Sequence, residues 1–177
     1  MKKFIIYISL IIAFIIIYLL QSIVFTNLTI AGIMPNLFVI FMLFFGLYMG
    51  RSRGVIFGII FGVFIDIWIG RNLGITSIGL AIVGFLGGIF DKNFSKESRI
   101  TVIIMCAICT ILYETLICIL RYITVGINIE TLQFIKILSI EVLYNILLSI
   151  ILYPLIKKVG YEIESEIKGN KIFTRYF

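Results

Sequence analysis

Apolar residues run along this chain in long, nearly continuous stretches that short polar segments interrupt. Such runs are typical of helices that cross a lipid bilayer, each of which needs about 20 apolar residues. The pattern predicts an all-α integral membrane protein, a six-transmembrane-helix bundle in residues 1–156, followed by a polar tail, 157–177. The expected spans are about 4–25, 35–50, 54–70, 74–90, 100–125 and 134–156.

Composition supports a membrane environment. Apolar residues make up 62% of the chain and charged residues 14%, against about 45–50% and about 25% in ordinary soluble domains. A compact soluble domain needs more polar surface than this chain offers. We therefore expect lipid to cover the bundle, as in a multi-pass protein of a cell membrane.

The distribution of basic residues predicts the orientation. The first apolar run follows Lys2 and Lys3, and its length of about 22 residues exceeds the roughly 7–15 apolar residues of a cleavable signal. A cytoplasmic N-terminus leaves only Arg71, Arg121 and Lys136 of the 15 Lys and Arg residues at or near the outside. Both termini are then cytoplasmic. The net charge of +6 reflects this topology and attraction to anionic lipid, and it requires no nucleic-acid partner.

Glycines recur at a constant interval of four through the second to fourth spans, with Asp66 taking one step of the series. Four residues turn a helix by about 400°, so the glycines of one span lie on one slowly winding face. Small residues at this spacing let helices approach closely in lipid. The general frequency of glycine in membrane helices does not explain the interval. The predicted helix-packing residues are Gly46, Gly50, Gly54, Gly58, Gly62, Gly70 and Gly74.

Several polar residues fall inside the predicted spans, where a central Asp or Arg costs roughly 2.5–3.5 kcal/mol. We expect them to face protein or to lie near an interface, forming an intramembrane polar cluster in the outer half of the bilayer. Its predicted members are Asp66, Glu114, Arg121, Glu141 and Asn145.

Two polar stripes at intervals of four support this cluster. Span six carries Glu141, Asn145 and Ser149, and span five carries Cys106, Thr110, Glu114, Cys118 and Tyr122. Glu114 and Arg121 are about 10.5 Å apart along the helix axis, which disfavours direct pairing. One hypothesis is that Arg121 balances Glu114 or Glu141 within the bundle. The alternatives are binding of a small ligand or partner helix, and independent anchoring at the interface.

Candidate chemistry is sparse. The chain has no histidine, the commonest general base and metal ligand at neutral pH. Cys106 and Cys109 form a C-x-x-C pattern, but redox or metal chemistry needs an accessible thiolate, which hydrocarbon disfavours. No nucleophile elbow or Walker loop occurs in the sequence. We therefore predict a protein that is not an enzyme, with no catalytic, cofactor-binding or metal site.

An ordered set of residues in the first half resembles a known family. Pro35-Asn36 opens a span, Arg51 and Arg53 precede the glycines, G-x-x-x-G-x-x-x-D ends at Asp66, and Gly74 opens the next span. Over about residues 30–95 this combination resembles MreD, the rod shape-determining membrane protein family, with Pro35, Asn36, Asp66 and Gly74 as the motif residues.

The resemblance implies a non-enzymatic scaffold of the cell-wall elongation machinery in the bacterial inner or cytoplasmic membrane. Its implied partners are MreC and, through MreC, MreB, RodA and a class B penicillin-binding protein.

Two alternatives remain open, the first of which has similar size and topology. One is the substrate-capturing S-component of an energy-coupling-factor vitamin transporter, a class whose first span usually carries paired alanines. The first span here contains only Ala13. The other is a generic assembly factor or lipid-binding membrane protein.

Two polar segments lie outside the predicted spans. The charged residues 91–99 are expected to form an aqueous loop. In the tail, Val159, Ile163 and Ile167 recur at intervals of four. This spacing fits an amphipathic helix on the membrane or a docking strip for a cytoplasmic partner, and the alternative is a flexible, solvated tail.

Overall fold

The computed structural model describes residues 2–69, 73–94, 96–126 and 130–168. Within these residues the chain is helical, with six α-helices and no strand. The helices are α1 (Lys2–Leu19), α2 (Leu37–Met49), α3 (Arg51–Ile69), α4 (Ile75–Asn93), α5 (Arg99–Val125) and α6 (Thr131–Lys168), and a π-helical turn, Leu20–Val24, continues α1.

Length and composition make four of the described helices capable of crossing a membrane. They are Phe4–Val24, Ile75–Asn93, Arg99–Thr124 and Thr131–Ile167. Helix α2 is a shorter apolar helix of 13 residues, and the 19 residues of α3 include Arg51, Arg53 and Asp66. The all-helical membrane architecture is thus established, while the count of six crossings stays a prediction.

Helix α2 forms the centre of the bundle. All of its residues except Phe41 are buried, and it contacts α4 most extensively, then α6, α3 and α5. At about 1.5 Å per residue, α2 is only about 20 Å long. Its first backbone N–H groups lack partners within the helix, so groups from elsewhere must provide them.

Helices α3 and α4 make the most extensive helix contact in the described chain. A single residue, Gly50, separates α2 from α3, and its φ of +89° lies in the left-handed region that L side chains rarely adopt. This turn reverses the chain direction and lets α2 and α3 pack together against α4.

Helix α1 lies at the edge of the bundle and packs mainly through aromatic rings. The ring of Phe14 stacks on that of Phe61 with centroids 4.1 Å apart, and Tyr7 stacks on Phe57 at 5.9 Å. The opposite face of α1 is exposed and apolar, as expected of a surface covered by lipid.

Helix α6 is 38 residues long and includes Pro154 within it. It therefore continues beyond the expected end of span six, and residues 157–168 are helical. Ile163 and Ile167 pack partly buried against the core, whereas Val159 is exposed. We call residues 157–168 the α6 arm. The rest of the predicted tail, 169–177, lies outside the described residues.

Candidate functional site

Asp66 of α3 caps the start of α4. Its side chain is buried, with 1% of the residue exposed. The carboxylate accepts hydrogen bonds from the backbone N–H groups of Gly74 at 2.9 Å and Ser77 at 3.4 Å, and from the Ser77 hydroxyl at 3.2 Å. The N–H of Thr76 donates to the other carboxylate oxygen at 3.3 Å. The first N–H groups of a helix lack partners and carry partial positive charge. A carboxylate here accepts their hydrogen bonds and balances their charge.

Gly74 contributes to this cap through its backbone conformation. Its φ is +99°, in the left-handed region, and no neighbouring atom lies within 4 Å of the place where a Cβ would stand. Gly74 is therefore a turn residue, and Gly50, whose φ is +89°, also occupies a turn. Gly70 lies outside the described residues.

The other glycines of the series lie directly against backbone of a neighbouring helix. A Cβ on any of them would overlap that backbone. Gly46 and Gly54 face Gly84, Gly58 faces Ala81, and Gly62 faces Ser77. Along α3 the contacted residues of α4 have ever lower numbers, so the two helices run antiparallel. Their close contact extends towards the Asp66 cap.

A second capped helix start lies at Asn36, which precedes α2. The Asn36 backbone N–H donates to Asn145 Oδ1 at 2.8 Å, and its side-chain Nδ2 donates to Glu114 Oε1 at 3.3 Å. Its Oδ1 accepts from the N–H of Val39 at 3.3 Å, the usual N-cap bond. Asn36 thus joins the start of α2 to both α5 and α6.

Gln21, in the π-helical turn, holds the residues on both sides of Asn36. Its Nε2 donates to the Pro35 carbonyl at 2.7 Å, and its Oε1 accepts from the Leu37 N–H at 2.9 Å. Sequence reasoning missed Gln21. The available signal was a neutral amide near the end of an otherwise apolar run, where an unsatisfied polar group is costly.

The polar stripes of α5 and α6 meet beside this helix start. Asn145 is fully buried, and its Nδ2 donates to Thr110 Oγ1 at 3.0 Å. The thiol of Cys106 donates to the Asn145 carbonyl at 3.7 Å. Buried Glu141 lies beside Glu114 and Asn36. The structure therefore brings three predicted cluster members together: Glu114, Glu141 and Asn145.

The remaining two cluster members have other surroundings. Asp66 accepts hydrogen bonds from the start of α4, so it caps a different helix from the one beside Glu114. Arg121 is half-buried on α5, and its balancing of a carboxylate stays a prediction.

At the opposite end of the bundle, Lys96 connects α4 with the α6 arm. Its Nζ lies 2.6 Å from Asp91 Oδ1 and 2.6 Å from Glu164 Oε2, and 5.0 Å from the centroid of the Tyr48 ring. Only 8% of Lys96 is exposed. The expectation that residues 91–99 form a wholly aqueous loop is therefore wrong at Lys96, because a carboxylate 68 residues away in sequence covers its charge.

Two tyrosines strengthen this connection. The Tyr153 hydroxyl donates to the Glu97 carbonyl at 2.7 Å, and the Tyr161 hydroxyl donates to Glu97 Oε1 at 3.4 Å. Burial, and secondly the negative charge of Glu97, raise the pKa of Tyr161. The hydroxyl thus keeps the proton that it donates. We call this end, where Tyr48, Lys96 and the α6 arm meet, the basic end.

The chemistry available at these sites is hydrogen bonding between helices. Among the described residues no group of three or more His, Cys, Asp or Glu side chains could hold a metal ion. Cys106 and Cys109 are free and buried. Three of the polar residues that sequence analysis singled out, Asp66, Glu114 and Asn145, thus bind two helix starts inside an apolar bundle.

These features define a class, a helical membrane protein whose buried polar groups join its helices. The family comparison is specific: the model of the rod shape-determining protein MreD matches residues 2–160. The chain therefore belongs to the MreD family, and a role in rod shape determination follows from that membership. Comparison with the curated proteins and with the solved structures gives no match.

The match extends well beyond residues 30–95, over which the sequence motifs carried the resemblance. All four motif residues lie at the two capped helix starts: Pro35 and Asn36 at α2, and Asp66 and Gly74 at α4.

Proposed function

We propose that this protein is a non-enzymatic membrane scaffold of the cell-wall elongation machinery, which recruits MreC and, through it, MreB, RodA and a class B penicillin-binding protein. The family match over residues 2–160 carries the proposal. The structure supports it because buried Asp66 and Asn145 hydrogen-bond to other helices and so stabilise the packing of the bundle.

The proposed mechanism is association between membrane helices. A buried α2 and the close α3–α4 contact give the bundle a defined shape. Exposed apolar faces, such as the one on α1 that includes Ile8, Ile12 and Ile15, then supply contact area for partner helices. In lipid such contacts depend on close packing, so a rigid surface favours specific partners.

We further propose that the basic end faces the cytoplasm. In support, Lys96, Arg99 and Lys157 come together there around Tyr153 and Tyr161, and Arg51 packs against Gly88. Basic residues accumulate on the cytoplasmic side of membrane proteins. Alkaline phosphatase fused after residue 97 should be inactive, and the same fusion after residue 130 should be active. The reverse pattern would contradict this orientation.

Depletion in a rod-shaped bacterium that encodes this chain tests the proposed role. Cells should become round and swollen, and re-expression of the wild-type chain should restore their length-to-width ratio. Vitamin uptake, measured in the same cells, should not change. Unaltered rods that lose vitamin uptake would instead support the transporter class.

Recruitment needs its own measurement. Tagged wild-type chain, solubilised in mild detergent, should co-purify MreC, and MreC should in turn bring the synthases. A chain that restores rod shape without co-purifying or crosslinking to MreC in membranes would contradict recruitment while leaving the shape role intact.

A further inference from the structure

Arg51, the first residue of α3, carries a charge that its packing does not balance. Its Nε is buried and has no hydrogen-bond partner among the described residues. The side chain is held on one side, because Arg51 packs against Gly88 of α4 and its guanidinium carbon lies 5.7 Å from the centre of the Phe85 ring. A partly buried charge that the chain itself does not balance favours an anion beside it.

A second unbalanced cation, Lys92, lies on the same face of α4 as Phe85. The two residues are seven apart, about 20° short of two full turns, and Lys92 is exposed. The carboxylate that precedes it in the sequence, Asp91, lies 2.6 Å from Lys96 instead. Among the residues that the structure describes, neither Arg51 nor Lys92 belongs to an ion pair. We call Arg51 and Lys92 the cationic pair.

Three other basic residues at this end of the bundle have partners within the chain. Arg53 donates a hydrogen bond to the Met49 carbonyl at 3.1 Å. Arg99 and Lys157 lie over the ring of Tyr153, at 6.0 and 5.7 Å from its centre. Their charges are thus partly met inside the bundle, in contrast to those of the cationic pair.

An exposed apolar stripe on α4 leads up to the cationic pair. Ile78, Ile82 and Phe85 recur at intervals of four and three, so they lie on one face of the helix, and between 39% and 49% of each residue is exposed. The stripe is about 10 Å long, and Lys92 follows on the same face. This order matches a phospholipid, whose acyl chains lie in hydrocarbon and whose phosphate lies at the polar surface. A soluble phosphate ion would leave the stripe uncovered.

The charge of the cationic pair selects among lipids. Basic pockets between membrane helices bind anionic headgroups, whereas a zwitterionic headgroup brings a cation of its own close to both side chains. The partial positive charge at the start of α3, where Arg51 lies, adds to the attraction for an anion. Charge complementarity therefore favours an anionic phospholipid over phosphatidylcholine.

We propose that Arg51 and Lys92 bind the phosphate of one anionic phospholipid, with an acyl chain lying along Ile78, Ile82 and Phe85. The N–H groups of both side chains donate charge-assisted hydrogen bonds to the phosphate oxygens. Lys92 lies about 10.5 Å beyond Phe85 along the α4 axis, so its long side chain reaches back towards the guanidinium group to share the phosphate. This site goes beyond the proposed scaffold function and does not depend on it.

Native mass spectrometry of the full chain in detergent tests the site. Dioleoyl phosphatidylglycerol and dioleoyl phosphatidylcholine, added in equal amounts, differ only in their headgroups. The wild type should retain one phosphatidylglycerol molecule in clear preference to phosphatidylcholine. Arg51→Gln and Lys92→Gln should each lower that retention about tenfold, since each removes a charge-assisted hydrogen bond. Ile82→Ser, which makes the stripe polar, should also lower it.

The matched control is Lys158→Gln. Lys158 is exposed at the same end of the bundle, and the change removes the same charge, but Glu162 lies one turn further along the α6 arm. This variant should retain phosphatidylglycerol like the wild type. Glycerol 3-phosphate, which has a phosphate and no acyl chain, should not displace the lipid. Thermal unfolding checks that each variant is folded, and exposed Lys92 keeps the test decisive if Arg51→Gln does not fold.

Any of four results would overturn the proposal. They are equal retention of both lipids by the wild type, unchanged retention in a folded Arg51→Gln or Lys92→Gln variant, an equal loss in Lys158→Gln, and displacement of the lipid by glycerol 3-phosphate. An equal loss in the control would mean that net charge alone explains retention. Since lipid retention is measured on the purified chain, its failure is distinguishable from failure of the scaffold role.

Discussion

The carboxylate of Asp66 lies 2.9 Å from the backbone nitrogen of Gly74, eight residues later in the chain. This contact joins the C-terminal end of α3 to the start of α4, where Gly74 adopts a left-handed conformation. Asn36 and Asn145 form an equivalent contact at the start of α2. In both cases a side chain from another helix accepts a hydrogen bond from a backbone N–H at the start of a helix.

Replacing Asp66 by Ala should destabilise the α3–α4 pair. The change removes the acceptor for three backbone N–H groups and the Ser77 hydroxyl, and we expect a loss of about 2 kcal/mol. Asp66→Asn, which keeps one oxygen, should lose less. Thermal unfolding in detergent, followed by a dye that reacts with the buried thiols of Cys106 and Cys109, measures this. Glu130→Ala should unfold like the wild type, and a D66A melting temperature equal to it would exclude the capping role.

Gly62→Leu should prevent close packing of α3 on α4. Even a Cβ at this position would overlap Ser77 backbone, and overpacking typically costs about 1–3 kcal/mol or more. We expect little folded protein after size-exclusion chromatography in detergent. Val63→Leu, at the neighbouring exposed position, should give a normal yield. A monodisperse, thermally stable G62L protein would show that the helices separate there at low cost.

Asn145→Leu should loosen the start of α2. The Asn36 N–H would lose its acceptor and Thr110 Oγ1 would lose a donor, and an unsatisfied buried group costs about 1–3 kcal/mol. Hydrogen exchange at residues 36–40 should become faster than in the wild type. Tyr144→Phe removes only an exposed hydrogen bond to the Leu28 carbonyl and serves as control. Unchanged exchange in N145L would argue against a role for Asn145 in capping.

Lys96→Met should free the α6 arm. It leaves Asp91 and Glu164 facing each other without the shared ammonium group, and breaking a buried ion pair costs about 3 kcal/mol. A protease specific for Glu should then cleave faster after residues 162–166. Lys92→Met, at an exposed position of α4, should not accelerate cleavage. Equal cleavage rates in K96M and the wild type would show that other contacts hold the arm.

Periodicity alone located most helices, because long apolar runs leave few alternatives to a helix in lipid. The four-residue interval also marked Gly46, Gly54, Gly58 and Gly62, whose close contacts the structure shows. The same interval could not distinguish these from Gly50 and Gly74, since spacing carries no information about φ. Nor could it show that α6 continues through Pro154, because a proline is compatible with either an end or an interior position.

Contacts between residues that are distant in the sequence could not be predicted from the sequence. Lys96 occurs among charged residues, and its burial depends on Glu164. Gln21 gains its role only because α2 begins beside the π-helical turn.

The amino-acid sequence by itself determined that this chain is a helical membrane protein of the MreD type, because hydrophobic length, charge bias and local motifs are properties of short segments. Only the tertiary structure decided what the motif residues do. Hydrogen-bond partners of buried groups are set by which helices pack together, so the capping of α4 by Asp66 and of α2 by Asn36, Gln21 and Asn145 emerges only when the helices are in place.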